Sequence, residues 1–421
     1  MAKITQIKAY EILASGGYPT LEVEVSLDSG HVGRASVPYG ASAGSHEATV
    51  LNDGDVKRYE GKGVMKAISN VIEKIAPIIV GMDAGEQREI DNKMIALDGT
   101  ENKANLGGNA VLAVSLAVAR AAASSEGKEL YRYIIDKFNT GINLEKLPSP
   151  MIVMIEGGKH ADETTDLQEF CVSAVGDQSV SEKVRMVMEI YHKLRGVLKS
   201  NNLSVNVGNE GAFAPNGIPD NEAPFKYIVE AIEKAGYDAP KDVAISIDAA
   251  ASEFYVDGKY YLKVENRTLS ADELIAYYET WLEKYPIVTY EDMLHEDDWD
   301  NWVKMKPVVD RHHVEHIGDD ITVTNVKRLQ KAIDLGAITA ILIKLNQAGS
   351  LTETVDCCML ANKNGLMTTT SHRGGGETND TAMVDLAVAV GSRFIKVGPT
   401  RGERVSKYNR LMEIEREVKG N

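Results

Sequence analysis

VAISID at 243–248, PIVTYED at 286–292, HIGDD at 316–320, AITAILIKL at 337–345, LMTTTSH at 366–372 and RFIKVG at 393–398 decide the fold. Each contains a short apolar run that reads as a buried strand and closes on a polar or charged residue. Helical, amphipathic sequence fills the intervals. Measured between Asp248, Glu291, Asp319, Lys344, His372 and Lys396, those intervals run from 24 to 43 residues, against about 30 for one βα unit. The rhythm predicts a β/α barrel, in which the carboxyl ends of the strands converge on one face where ligands are held.

Upstream the pattern changes. Over 4–36 apolar and polar residues alternate, the period-two mark of an antiparallel meander. Segments 61–79, 84–97 and 109–128 then carry helical periodicity, the last so rich in Ala that it should pack closely on a neighbour. Another helix ends near Phe138, and Pro148 and Pro150 punctuate a polar link. The expected organisation is α/β: an α+β amino-terminal capping domain over 1–138, and an eight-stranded barrel over 139–421 that carries the active site. The glycine-rich stretch at 39–48, with neither a Walker lysine nor a dinucleotide fingerprint, reads as a mobile lid.

Composition narrows the function. The 421 residues are 43% hydrophobic with only 12 Pro, too apolar and too regular for disorder. Lys plus Arg number 46 against 62 Asp plus Glu, and the net charge of −16 repels phosphate backbones and anionic lipid. Nucleic acid and membrane surface are therefore poor partners, and a small molecule is expected. Cys171, Cys357 and Cys358 cannot form a disulfide framework, which fits a reducing cytosol. The amino-terminal segment has no signal-peptide core, and the apolar stretch 110–119 is too short to span a bilayer, so no membrane span and a cytoplasmic location are expected.

Asp248, Glu291 and Asp319 each end an apolar strand. If three carboxylates converge, their repulsion must be neutralised, and hard oxygen ligands suit magnesium. Lys344 and Lys396 sit in strands that otherwise look buried. A buried ammonium either finds a carboxylate or lowers its pKa, and the second outcome yields a usable base. Glu169 in DLQEF and Glu210, between glycines in VGNEGAF, are acid candidates whose burial would raise the pKa toward proton donation. His372 and Arg373 precede three glycines, whose amides and neighbouring guanidinium suit a phosphate. The cluster RHHVEH at 311–316 lacks a second ligand element and reads as surface histidines.

Taken together, GASAGSHEA, LDGTENKANLGGNA, GGKHAD, DLQEF, GNEGAFAPN, SIDAAASEFY, YPIVTYED, GDDITVTN, ILIKLNQAGSLTET, SHRGGGET and IKVGPTRGERVSKYNRLMEIE resemble the enolase family, in order and over nearly the whole chain. The resemblance implies a barrel in which one early strand runs antiparallel, and a homodimer or larger ring. It implies magnesium-dependent dehydration of 2-phosphoglycerate to phosphoenolpyruvate. Carried over by position, Lys344 would remove the C2 proton, and Glu210 with Glu169 would help the C3 hydroxyl leave. Asp248, Glu291 and Asp319 would hold one magnesium, Ser42 of the lid would join a second, and Lys396 would meet the substrate carboxylate. His372 and Arg373 would contact the substrate's surroundings and phosphate, with His160 and Gln168 completing the pocket.

The chain departs from the family pattern at Ala14, Gly16 and Tyr18 in ASGGYPT, at Tyr39 and Ala43 in the lid, at Glu156, Asn209, Ala212 and Met293, and by one extra residue in SHRGGGET. Asn209 in place of an acid should make Glu210 easier to ionise. The rebuilt lid and SHRGGGET leave room for a diverged relative acting on a related phosphonate or phosphorylated acid, and a non-catalytic binding scaffold is the alternative of another class.

Overall fold

The computed structural model describes residues 2–40, 46–162 and 164–420. Three strands open the chain, β1 (Ile4–Leu13), β2 (Pro19–Leu27) and β3 (Val32–Ser36), paired antiparallel in that order. Alternation along β2 sends Leu21, Val23, Val25 and Leu27 into the core. Across the sheet lies the helix Gly108–Ser125. By length and composition alone it could cross a membrane, yet 83% of it is buried within the protein. Its small side chains explain the fit: a Cβ on Gly33 would lie 2.1 Å from the Ala117 carbonyl oxygen and 2.2 Å from the Ala121 nitrogen. The close packing expected of the Ala-rich helix is thus between backbones.

The segment predicted as one helix over 61–79 is helical from Met65 to Ile79, but a π turn occupies Asn70–Ile75. There the buried Asn70 side chain donates to the carbonyls of Asn105 and Leu106, tying the turn to the approach to the Ala-rich helix. Helices Gln87–Asp98 and Leu130–Phe138 complete this half.

The second half is a closed barrel. Its strands are β4 (Ser149–Glu156), β5 (Glu169–Ala174) and β6 (Val243–Asp248), then, after a small outer sheet of β7 (Tyr255–Val256), β8 (Lys259–Leu262) and β9 (Arg267–Leu269), β10 (Ile287–Glu291), β11 (Glu315–Gly318), β12 (Ala340–Ile343), β13 (Met367–Ser371) and β14 (Phe394–Val397). Strand β14 closes on β4. Every neighbouring pair is parallel except those involving β5, which runs against both β4 and β6.

That reversal has a positional result. In a parallel barrel only a strand's last residue reaches the ligand face. Because β5 is turned round, its first residue, Glu169, pairs with Asp248 at the end of β6 and with Glu156 at the end of β4. The chain then leaves β5 at the opposite rim, where Ala174 pairs with Val243. It climbs through helix Val180–Ser200, crosses the mouth at residues 201–222, and returns through helix Ala223–Ala235. Glu210 sits at the crest of this excursion and belongs to no strand.

Candidate active site

Strand ends and the excursion's crest bring most of the sequence-predicted residues together. His160, Gln168, Glu169, Glu210, Asp248, Lys344, His372, Arg373 and Lys396 line one small cavity at the mouth. Glu291 contacts Lys396 and Asp319 contacts Lys344, both residues of the cavity lining, and Ser42 lies outside the described residues.

Lys396 is 3% exposed and its ammonium contacts three carboxylates: Glu291 at 2.7 Å, Glu169 at 2.8 Å and Asp248 at 3.1 Å. Burial alone would drive its proton off, but Asp248, Glu169 and Glu291 outweigh that cost and hold its pKa well above the ordinary lysine value. Lys344 is not inside its strand as the sequence suggested. Strand β12 ends at Ile343, and Lys344 caps the short helix Leu345–Ala348 with extended backbone. Its ammonium pairs with Asp319. Of the two outcomes open to a buried lysine it takes the first: burial pushes its pKa down, Asp319 more than restores it, and the net shift is upward.

The acid side is a mixed cluster. His372 Nε2 stands 3.0 Å from Glu210 Oε2, and His160 Nδ1 lies 3.1 Å from Glu169 and 3.4 Å from Glu210. Burial pulls the His160 pKa down, yet Glu210 and Glu169 push it up to about 9. The expectation of a raised Glu210 pKa is reversed, while the easier ionisation expected beside Asn209 agrees in direction, though its causes are histidines. Burial does raise its pKa, but His372 and His160 together overcome this and the net shift is downward, so Glu210 is a carboxylate here. His160 Nδ1 and Glu210 Oε1 are buried without an aligned hydrogen-bond partner, a sign that the cluster has capacity for a ligand.

Of the three carboxylates predicted as one metal site, Asp248 and Glu291 end the adjacent strands β6 and β10 and pair with each other, whereas Asp319 follows the last residue of β11, Gly318. Lys396 draws Asp248 and Glu291 toward itself, while Asp319 also accepts from Gln347 Nε2 at 2.8 Å. The tight grouping around Asp319 is instead with Asp292 and Asp320, ligand oxygens of all three lying within 4.8 Å of one another. Burial and the Asp319 charge raise the Asp320 pKa to about 8. With three carboxylates against the one Lys344 ammonium paired with Asp319, these all-oxygen and largely buried donors fit a hard divalent cation.

Several residues that shape the site were not singled out from the sequence. Glu47 holds the Arg373 guanidinium at 2.7 and 3.1 Å. Asp292 accepts the backbone amides of Asp319 and Asp320 at 2.9 and 2.8 Å, fixing the turn after β11. Gln347 and Asp292 each adjoin a motif already in view, and that adjacency was the available signal.

The extra glycine of SHRGGGET is accommodated by close backbone packing. A Cβ on Gly376 would sit 1.9 Å from the Tyr39 carbonyl oxygen, one on Gly16 would sit 2.4 Å from that of Gly375, and one on Gly374 would meet Glu210 at 2.5 Å. The amino-terminal hairpin is stitched to the same loop, Ser15 donating its amide to the Glu377 carbonyl at 2.8 Å.

With this geometry, residues 4–134 match the family described as "Enolase, N-terminal domain", and residues 144–421 match "Enolase, C-terminal TIM barrel domain". The chain belongs to the enolase family. The reversed β5 and the amino-terminal capping unit are the fold implied by that membership, and an enolase-like function follows at the level of the superfamily. Some departures noted in the sequence are contacts in space: Gly16 packs on Gly375 and Tyr39 on Gly376, next to Gly374, which lines the cavity, so that they form one rebuilt region beside it.

Proposed function

We propose that this enolase is a carbon–oxygen hydro-lyase that dehydrates 2-phosphoglycerate to phosphoenolpyruvate with magnesium, as a cytoplasmic homo-oligomer in glycolysis and gluconeogenesis. The observation that carries the proposal is that an amine, Lys344, and a glutamate–histidine cluster, Glu210, Glu169, His160 and His372, border one cavity that also holds Lys396 and Arg373. Removing a proton next to a carboxylate builds charge on that carboxylate, and the pocket has cations for it.

Lys344 in its amine form takes the C2 proton, and the C2–H electron pair moves into the carboxylate, which Lys396 contacts. The C3–O bond then breaks as those electrons return. The hydroxyl leaves as water with a proton that His160, held as imidazolium by Glu210 and Glu169, gives up by way of the Glu210 carboxylate, while His372 helps set that carboxylate's orientation. Arg373 meets the phosphate, and Gln168 completes the wall. Asp248, Glu291 and Asp319 would hold one magnesium, with Ser42 assigned to a second. Bound there, magnesium would supply positive charge to stabilise the developing carboxylate charge, and Asp319, as one of its ligands, would be less available to hold Lys344 protonated.

Purified protein with magnesium and 2-phosphoglycerate tests this: an ultraviolet-absorbing enol phosphate should appear, and Lys344→Ala should abolish it. No product in either sample sinks the proposal. The rebuilt region at Tyr39 and Gly374–Gly376 favours a second reading, action on a related phosphonate or phosphorylated hydroxy acid. A panel of such acids showing a better substrate than 2-phosphoglycerate would establish it.

A further inference from the structure

Behind Glu210 lies a second carboxyl group that the chemistry above does not use. Glu156 ends β4 and is fully buried. The register of β4 against β5 shifts between Val153 and Ile155, so that Ile155 pairs with Phe170 and Glu156 with Glu169. A bulge of this kind re-aims the side chains that follow it. Paired residues of an antiparallel ladder share a face, and the shift therefore turns Glu156 toward the side of Glu169.

Both oxygens of Glu156 accept from one donor, the backbone amide of Glu210, at 3.2 and 3.1 Å. Gly208 makes room for this grip, since a Cβ there would lie 2.5 Å from the Glu156 carboxyl carbon. The rest of the crest is clamped as well. Tyr191 and Thr400 donate to the Gly211 carbonyl at 2.8 and 3.0 Å, and Arg401 donates to that of Gly208 at 2.7 Å.

We propose that Glu156 is a positioning residue: as a neutral carboxylic acid it holds the backbone of Glu210, aiming that carboxylate for the elimination step without touching substrate. The inference rests on the dehydration proposed above. Neutrality has a physical basis in the surroundings. The groups facing Glu156 are Glu210 on the crest, Glu169 on β5 and His160 on the loop between β4 and β5, and among the described residues no cation pairs with it. Burial first, and then the Glu210 charge, push its pKa up to about 8, against the pull of His160. Above that pH a second negative charge appears behind Glu210, in a site meant for an anionic substrate.

The test compares wild type, Glu156→Gln and Glu156→Leu for two partial reactions, exchange of the C2 hydrogen with solvent deuterium and net elimination, from pH 6 to 9.5. Glu156→Gln copies the neutral acid and should match wild type at pH 6 to 7. Above pH 8 wild-type KM should rise while that of Glu156→Gln stays flatter. Glu156→Leu leaves the Glu210 amide buried without an acceptor and should slow elimination about tenfold, a fraction of what a general acid supplies, with C2 exchange largely retained.

Equal loss of both partial reactions in a folded Glu156→Leu protein overturns the inference, and so do superimposable KM profiles for wild type and Glu156→Gln. Should Glu156→Leu not fold, the Glu156→Gln profile decides alone. An infrared band of a protonated carboxyl at pH 7, absent from Glu156→Gln, is expected whether or not the protein turns over, and its absence also overturns the inference. Wild type inactive in both partial reactions marks failure of the proposed dehydration instead, and the positioning role falls with it.

Discussion

Tyr18 and Tyr39 face each other with ring centroids 5.9 Å apart and planes tilted by 33°. Both are departures from the enolase pattern, one in the first hairpin and one at the edge of the lid, and they meet at the rebuilt region. Tyr18 also donates to Glu60 at 2.7 Å, and the Lys62 ammonium sits 3.7 Å from the centre of its ring. Tilted aromatic pairs couple by about 0.5–1.5 kcal/mol beyond their burial. A double-mutant cycle of Tyr18→Leu and Tyr39→Leu in urea should return a coupling in that range. Additive losses would show that the two rings merely coexist.

Two lysines line the cavity, and whereas Lys396 is held by three carboxylates, Lys344 is ion-paired with Asp319. Lys344→Met should leave the barrel folded and slow C2 deuterium exchange about a thousandfold, within the range for loss of a general base. Exchange at the wild-type rate would assign the base elsewhere.

Magnesium should bind before any substrate does. Titration calorimetry of metal-free protein with magnesium chloride should give a saturable heat, lost in Asp319→Asn and weakened in Glu291→Gln. At a hundred times the dissociation constant the ion should add about 2.7 kcal/mol to stability. A thermal midpoint indifferent to magnesium would count against the carboxylate site.

His316, read from the sequence as a surface histidine, is instead fully buried in β11 and stacks on Trp302 with centroids 4.3 Å apart. Burial lowers its pKa from 6.5 to about 3 in the folded protein. The unfolded chain takes up the proton first, so this contribution to stability is complete above pH 6.5 and is lost as the pH falls toward 3. At pH 5 the loss should be about 2 kcal/mol. Urea unfolding at pH 7.5 and 5.0 should show a smaller acid-induced loss for His316→Phe than for wild type; equal losses would clear His316 of any part.

Gly33→Ala places a methyl group against two backbone atoms of the Ala-rich helix that cannot swing aside. The expected cost is about 1–3 kcal/mol, read as a lowered thermal midpoint. An unchanged midpoint would mean the helix shifts freely on the sheet.

Much of the barrel was legible because buried strands leave short apolar runs that end in polar residues. What stayed hidden has physical reasons. Alternation of side chains does not encode chain direction, so the reversal of β5 entered only with the family resemblance. Apolar periodicity could not separate the end of β12 from the buried turn after it, and Lys344 was therefore placed in the strand. Glu210 follows no strand rhythm because helices deliver it. The downward shift of its pKa depends on His160 and His372, 50 and 162 residues away. Glu156 and Asn209 were visible as separate departures. Nothing in their spacing said that Glu156 would hold the residue beside Asn209.

The backward course of β5 divides the molecule into unequal territories. The described residues 157–162 and 164–168 join β4 to β5 on the side of the candidate site, whereas the link that begins at Val175 emerges on the far rim, a barrel's length away. Extra sequence grafted at 176–178 would project from a side that turnover never visits, and the same graft between Gly158 and Gln168 would obstruct the entrance. Natural decoration of such a scaffold, and any engineered tether or tag, has one tolerant pole and one forbidden one.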